Sequence, residues 1–522
     1  MAFYVHRSNR TERLVDVLAQ VVAKPLATVL EPEWVVVSSP GMERWLSMQL
    51  AQRVGVWANP SFPFPRKLID TLLQRTARHE NENTAREGYD PLCMLFGIAR
   101  ELGVRAEDPL FADVQRYCEQ DEHGRRRLAL SLRLAELFDQ YLNYRPDMML
   151  DWASGGGEGF QPELFRALVQ RHQDGYLALS ARQTLSALTS GRESGKLTDW
   201  PERIHLFGLS SIPPLYLDLL SAVSAQRDVH LYVLAPSREY FADMRPTRGR
   251  RSRAKSSPKQ RQLSFEDPGF QNDAHPLVAS FARHAREFQE LLEAATPYRE
   301  LSDLYVDPGD ACLLHALQSD LLALRTRGPD GSEPRYPLAN ADTSFAVHAC
   351  HSPMRELEVL HDQLTYLIAE GGVAPGEIIV MTPNISDYAK VIDAVFSQPQ
   401  GQRAQIPFRI ADRGLAETQP LLLALDALLD VLSGRFGANE VLDLLGFDLI
   451  RERFEIGVDQ VDELRTWLED TGIRWGVDAE HRAEQDQPAC DDNTWRTGLA
   501  RLVLGYSSGL GSDALFQGIA PA

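Results

Sequence analysis

The chain lacks a Gly-x-x-x-x-Gly-Lys-Ser/Thr loop, which removes the usual means of wrapping backbone around a nucleotide's phosphates and reaching them with a lysine. It has no Cys-x-x-Cys and no His-Glu-x-x-His, so the common zinc frames are excluded. Five cysteines, an odd number, lie far apart at Cys93, Cys118, Cys312, Cys350 and Cys490. That usage points to reduced thiols rather than a disulfide framework. No apolar run reaches the roughly 18–20 residues of a membrane span, and the start Met1 to Arg7 has neither the charged opening nor the apolar core of a secretory signal. The expectation is a soluble, cytoplasmic protein without membrane contact.

Its 522 residues are too many for one core, and length suggests three or four domains. An apolar fraction of 44% and a charged fraction of 24% are those of an ordinary globular protein. The net charge of −19 neither excludes nor supports nucleic acid, because a basic channel can sit inside an acidic body.

Two segments share one grammar. Phe3–Val5 leads through His6-Arg7-Ser8-Asn9-Arg10 into a helix from about Thr11, and Trp34–Val37 leads through Ser38-Ser39-Pro40-Gly41 into another. A strand, a tight turn and a helix N-terminus can hold phosphate, or the turn can simply cap its helix. The grammar returns at Arg203–Leu209 and Asp228–Leu234. From about 85 to 200 apolar residues recur at helical spacing, so an α/β sheet interrupted by a helical insertion fits the order of blocks. A second α/β unit is expected near 343, with strands at Phe345–Cys350 and Glu377–Met381 and helices at Met354–Glu370 (capped by Ser352) and Ile385–Phe396. From Thr418 the chain reads as helical and more acidic. Residues 245–262 carry eight basic residues and no acid, either to track a nucleic-acid backbone or as an inert insertion.

Candidate chemistry is sparse. The strand at 203–209 runs into Gly208-Leu209-Ser210-Ser211 without an acid that could hold magnesium. His348, Cys350 and His351 are close in sequence but have no visible fourth metal ligand. On the helix near 136–145, Glu136, Asp139, Gln140 and Asn143 are spaced three or four apart and share a face. That face is either solvated or able to hydrogen-bond exposed bases. Trp45 and Trp57 could stack on bases or fill core.

Several words in the chain go beyond composition: His6-Arg7-Ser8-Asn9-Arg10, Gly41-Met42 with Trp45-Leu46, Phe62-Pro63 with Pro65, Leu137 to Leu142 followed by Tyr144-Arg145-Pro146-Asp147, Cys350-His351-Ser352-Pro353, Gly472 to Gly476 and Leu504-Gly505-Tyr506. Through these the chain resembles the N-terminal half of the RecC family, the gamma subunit of exodeoxyribonuclease V (RecBCD). The resemblance implies an α/β, P-loop NTPase-like superfamily 1 helicase fold that has lost its ATPase motifs. Domain 1A would comprise 1–84 with 201–340, insertion 1B 85–200, the start of domain 2A 341–417, and a 2B-like helical part 418–522.

It further implies a subunit without catalytic residues, metal or cofactor of its own, ATP and magnesium being used by partners. Those partners would be RecB-like and RecD-like subunits in a heterotrimer, acting on single-stranded DNA and duplex ends in recombinational repair. The family's residues that scan the 3′-ended strand for the Chi sequence carry over to Ser38, Pro40, Arg44, Phe64, Asp70, Glu136, Leu137, Asp139, Gln140 and Arg145. Glu136 takes an aspartate position. Ser38, Pro40 and Arg44 replace glutamine, threonine and glutamine, Phe64 a leucine, and Asp70 a tryptophan. A different DNA word is expected. Because family members are roughly twice as long, the chain is expected to be a piece of a longer protein.

Overall fold

The computed structural model describes residues 2–522 apart from 29–30, 80–88, 106, 120–123, 173–174, 190–199, 245–274, 296, 301–303, 329–332, 398–405, 412–418, 510–514 and 517–518. The basic segment 245–262 lies outside the described residues. Two compact units divide the chain, Met1–Ala346 and Val347–Ala522.

The first unit is built on a six-stranded, all-parallel sheet. Its strands are β1 (Phe3–Ser8), β2 (Glu33–Val36), β3 (Pro60–Ser61), β4 (Arg203–Phe207), β5 (Asp228–Leu234) and β6 (Arg299–Glu300), in the spatial order β3-β2-β4-β5-β1-β6. Parallel strands must be buried on both faces, and the alternation of side chains assigns each face. Phe3, Val5, Trp34, Val36, Ile204, Leu206, Val229 and Leu231 point to one side. There they pack on α3 (Pro65–His79), α9 (Leu177–Thr189), α10 (Pro214–Ser224) and α12 (Arg283–Ala295). The other side carries Val35, Val37, Phe207 and Tyr232 under α1 (Thr11–Val22) and α2 (Pro40–Val54).

That second face also holds a polar row. His6 Nε2 lies 3.2 Å from His230 Nδ1, and the His205 ring stacks on His230 with centroids 5.2 Å apart. His205 Nε2 meets Glu33 at 2.8 Å, and the carboxylate can only accept there. His205 Nδ1 therefore accepts from the Tyr232 hydroxyl at 3.2 Å. Glu33 also binds the Arg203 guanidinium in bidentate fashion, at 2.7 Å from each oxygen. Burial pushes Glu33 upward, but the hydrogen bonds from Arg203 and His205 outweigh it and bring it down to about 2.

Between β3 and β4 a helical block forms its own core. α4 (Pro91–Val104), α5 (Ala112–Cys118), α6 (Arg125–Tyr144), α7 (Pro146–Ala153), α8 (Phe160–His172) and α9 surround Phe111, Phe138, Phe165 and Leu168. In α6 the apolar positions Leu134, Phe138 and Leu142 recur at helical spacing and are buried. α11 (Pro276–Phe281) follows β5 and α13 (Leu313–Leu322) follows β6.

In the second unit α14 (Pro353–Ala369) is capped by Ser352, whose hydroxyl accepts from the Arg355 amide at 3.2 Å, and α15 (Ile385–Phe396) packs against it through Leu357, Leu364, Val395 and Phe396. Further helices follow among the described residues, from Pro420–Ser433 to Trp495–Ser508. The strands expected at 345–350 and 377–381 are a correction: neither is a strand. Val347, Ile379 and Met381 are exposed, and a β segment without a hydrogen-bonded neighbour is not a strand however β-prone its residues.

Candidate nucleic-acid interface

Helices α1 and α2, which follow β1 and β2, lie on one face of the sheet; α10 and α12, which follow β4 and β5, lie on the other. Neighbouring strands therefore send their helices to opposite faces between β2 and β4 and between β1 and β5. In open parallel sheets ligands bind at such switch points, beyond the carboxyl ends of the strands. The turn at 38–44 occupies the first of them.

Its local chemistry is that of a capped helix. The Ser39 hydroxyl accepts from the Met42 amide at 3.2 Å, Pro40 begins α2, and Glu43 stands in the first turn. The Ser39 cap takes up one orphan amide, and the acid occupies the place where the helix dipole would favour a bound anion. Gly41 is not among the residues with positive φ, so no backbone cradle forms. The capping reading holds and the phosphate reading does not. Gly208, at the end of β4, does have a positive φ of 67°, and a Cβ there would come within 3.3 Å of the Met42 methyl. The turn thus packs directly on the end of β4, with Trp45 against Phe207. Trp45 and Trp57 are part of that core rather than free platforms. Ser38, Pro40 and Arg44 are exposed beside it, and Arg44 has no ion-pair or hydrogen-bond partner among the described residues.

After β3, Phe62 turns into the core while Phe64 stays 46% exposed. Pro65 starts α3, which carries Arg66 and the half-buried Asp70. Arg66 reaches across to α6 and pairs with Asp139 at 3.2 Å. This pair joins two of the candidate segments, and nothing in sequence spacing could have indicated it. Asp139 is held above the usual carboxylate range by burial first, and then by Asp90 and Asp70, with Arg66 opposing. Beneath them the Tyr216 hydroxyl of α10, near Arg66, Asp70, Asp139 and Tyr144, is pushed up to about 12, chiefly by burial.

The rest of the α6 face is only partly as expected. Glu136, Gln140 and Arg145 are exposed and Leu137 is half-buried. Glu136 is engaged by Arg133 at 3.0 Å. Asn143 does not join the face: it is buried and its Nδ2 donates to the Asp139 carbonyl at 2.7 Å. α6 packs on α10, which starts beyond the same end of β4 that carries the turn.

Elsewhere the chemistry is quiet. No group of three or more His, Cys, Asp or Glu suited to a metal occurs among the described residues, and His348, Cys350 and His351 form none. All five cysteines are free. Gly505-Tyr506-Ser507-Ser508-Gly509 has the spacing of a serine-nucleophile elbow. It lies at the end of a helix with Ser507 Oγ donating to the Val503 carbonyl at 2.7 Å, so it is no elbow. No helix among the described residues is long and apolar enough to cross a membrane.

Two family profiles match the sequence: RecC, N-terminal domain, over residues 3–324, and RecBCD enzyme subunit RecC fourth domain, over residues 418–522. The curated relatives include RecBCD enzyme subunit RecC of Escherichia coli K12, 33% identical across 96% of this chain and 48% of that protein. The protein of the same name from Mycolicibacterium smegmatis is 33% identical across 97% and 46%. That from Haemophilus influenzae is 29% identical across 98% and 50%. The chain thus spans about half the length of the curated relatives it matches.

Proposed function

Because the chain belongs to the RecC family, we propose that it is a non-catalytic DNA-handling part of an ATP-dependent helicase–nuclease of the exodeoxyribonuclease V type, working in double-strand break repair with RecB-like and RecD-like subunits. ATP and magnesium are used by those subunits and not by this chain, and the complex works in the cytoplasm. The fold is a degenerate superfamily 1 helicase-like one, with 1–84 and 201–340 as domain 1A, 85–200 as 1B, 341–417 as the beginning of 2A and 418–522 as a 2B-like part. The all-parallel sheet with β1 inside it and helices on both faces supports this reading.

One observation carries the proposal. At the β2–β4 switch point the phosphate chemistry is closed by the Ser39 cap and Glu43, and β4 ends without an acid. At the carboxyl edge of the same sheet the turn leaves Ser38, Pro40 and Arg44 exposed. From there α10 leads to α6 with Gln140 and Arg145, and to the Arg66–Asp139 pair. These are groups that bind DNA bases and backbone rather than hydrolyse nucleotides. Asp139 and Gln140 would bracket base edges, Arg145 and Arg44 would bind base or phosphate, and Phe64 would stack. With a short hydroxyl at 38 and a cation at 44, the word read differs from that of relatives with amides there.

The test is co-purification with RecB- and RecD-like proteins, together with an ATPase assay of the chain alone on single-stranded DNA. The proposal expects association and no hydrolysis. Hydrolysis abolished by Arg10→Ala would instead identify a divergent helicase, and loss of both association and DNA binding an orphan scaffold.

A further inference from the structure

The second switch point, at the carboxyl ends of β1 and β5, opens into a cavity of about 520 Å³ walled by α12. Phosphate would need uncommitted positive charge there, and the cations on the walls are already neighboured by acids. Arg7 Nη1 donates to Glu300 at 2.9 Å and Nη2 to the Tyr298 hydroxyl at 3.1 Å, with the guanidinium 5.2 Å from the Tyr298 ring centroid. Arg238 lies 3.9 Å from Glu239. On the facing wall the pattern recurs without its cation. The Tyr240 hydroxyl donates to Glu293 at 3.2 Å, and Glu293 accepts from Gln289 at 3.2 Å but meets no cation among the described residues. Phe281 stands at the rim, 82% exposed.

An aromatic ring beside an unneutralised carboxylate is the environment a guanidinium prefers, through the ring's negative face and a charge-assisted hydrogen bond. Arg7 on Tyr298 and Glu300 is the same arrangement made within the chain. We propose that this cavity receives an arginine side chain from a segment of a partner protein, seated on Tyr240 with Glu293 as its carboxylate and with an adjacent apolar residue against Phe281. Arginine is favoured over lysine because its planar fork stacks and bonds at once. The acidic walls turn nucleic acid away, so this surface differs in ligand from the turn at 38–44, which it meets at Gly208.

The test is a ligand-observed NMR titration of the full chain with the blocked peptide Gly-Leu-Arg-Gly, its citrulline counterpart, ATP and a short single-stranded oligonucleotide. The arginine peptide is expected to bind, the citrulline peptide about tenfold or more weaker, as for loss of a charged contact. Glu293→Gln and Tyr240→Ala are each expected to weaken the arginine peptide by a similar factor, Tyr240→Phe much less, and none should change oligonucleotide binding. Both positions are exposed, so the fold is retained in all three variants. Equal binding of the two peptides, indifference to Glu293→Gln, no binding of either peptide, or ATP or oligonucleotide displacing the peptide would each overturn the proposal.

Discussion

Ser39 and Gly208 hold the turn at 38–44 in place by different means, and each can be removed singly. Ser39→Ala strips the cap of α2 and is expected to cost about 1 kcal/mol, the usual value of an N-cap hydroxyl. Gly208→Ala forces a Cβ into the left-handed region against the Met42 methyl and is expected to cost ~1–2 kcal/mol. Urea denaturation measures both; an unchanged midpoint in either would show that the turn is not built as described. The cap was legible in sequence, because Ser-Pro ahead of an apolar periodic run is a helix start. The partner of Asp139 was not. Arg66 lies on a different helix, and only packing of α3 against α6 brings them within 3.2 Å. Asn143 shows the converse, since its spacing from Glu136 and Asp139 was right and its exposure was set by neighbouring helices.

Strands β1, β2, β4 and β5 and the capped helices α14 and α15 were all legible, because a short β-branched run, a turn residue and a periodic pattern are local signals. The two-residue strands β3 and β6 carry too little pattern to be read, and the segments at 345–350 and 377–381 carry a pattern without a neighbour to pair with. The histidine row across β1, β5 and β4 is an element-scale feature with a pH consequence. Burial lowers His6 to about 4 and His230 to about 2, with further lowering from the neighbouring imidazoles, and lowers His205 as well. Each begins from 6.5, so below that value the unfolded chain takes up protons the folded chain does not. The row's stability is full above pH 6.5 and is lost as pH falls towards those folded-state values. Glu33 adds stability above 4.5 that goes only on further acidification towards 2. Asp139, being raised, works in the opposite sense and gains stability as pH falls. The urea midpoint is expected to drop between pH 7.5 and 5.5, and His6→Gln to make that drop shallower. An identical pH dependence in the two proteins would exclude the row as its source.

At the scale of the whole molecule, the proposed DNA-handling role requires of a chain of net charge −19 a local surface that its total charge opposes. Single-strand binding is therefore expected to weaken steeply with salt, since each phosphate neutralised releases counterions; a salt-independent affinity would exclude a backbone-tracking surface. The family was legible in collinear words along the chain. The place of the candidate residues on the carboxyl edge was not, because it depends on how β4 inserts between β2 and β5. The central claim, that this edge reads sequence without performing chemistry, is tested most directly by Asp139→Ala in a complex reconstituted with RecB- and RecD-like subunits. Sequence-dependent pausing and nuclease switching are expected to fall about tenfold, the worth of one hydrogen bond to a charged group at ~1.5 kcal/mol, while the unwinding rate stays near that of the unsubstituted complex. Equal loss of switching and unwinding, or no loss of either, would contradict it.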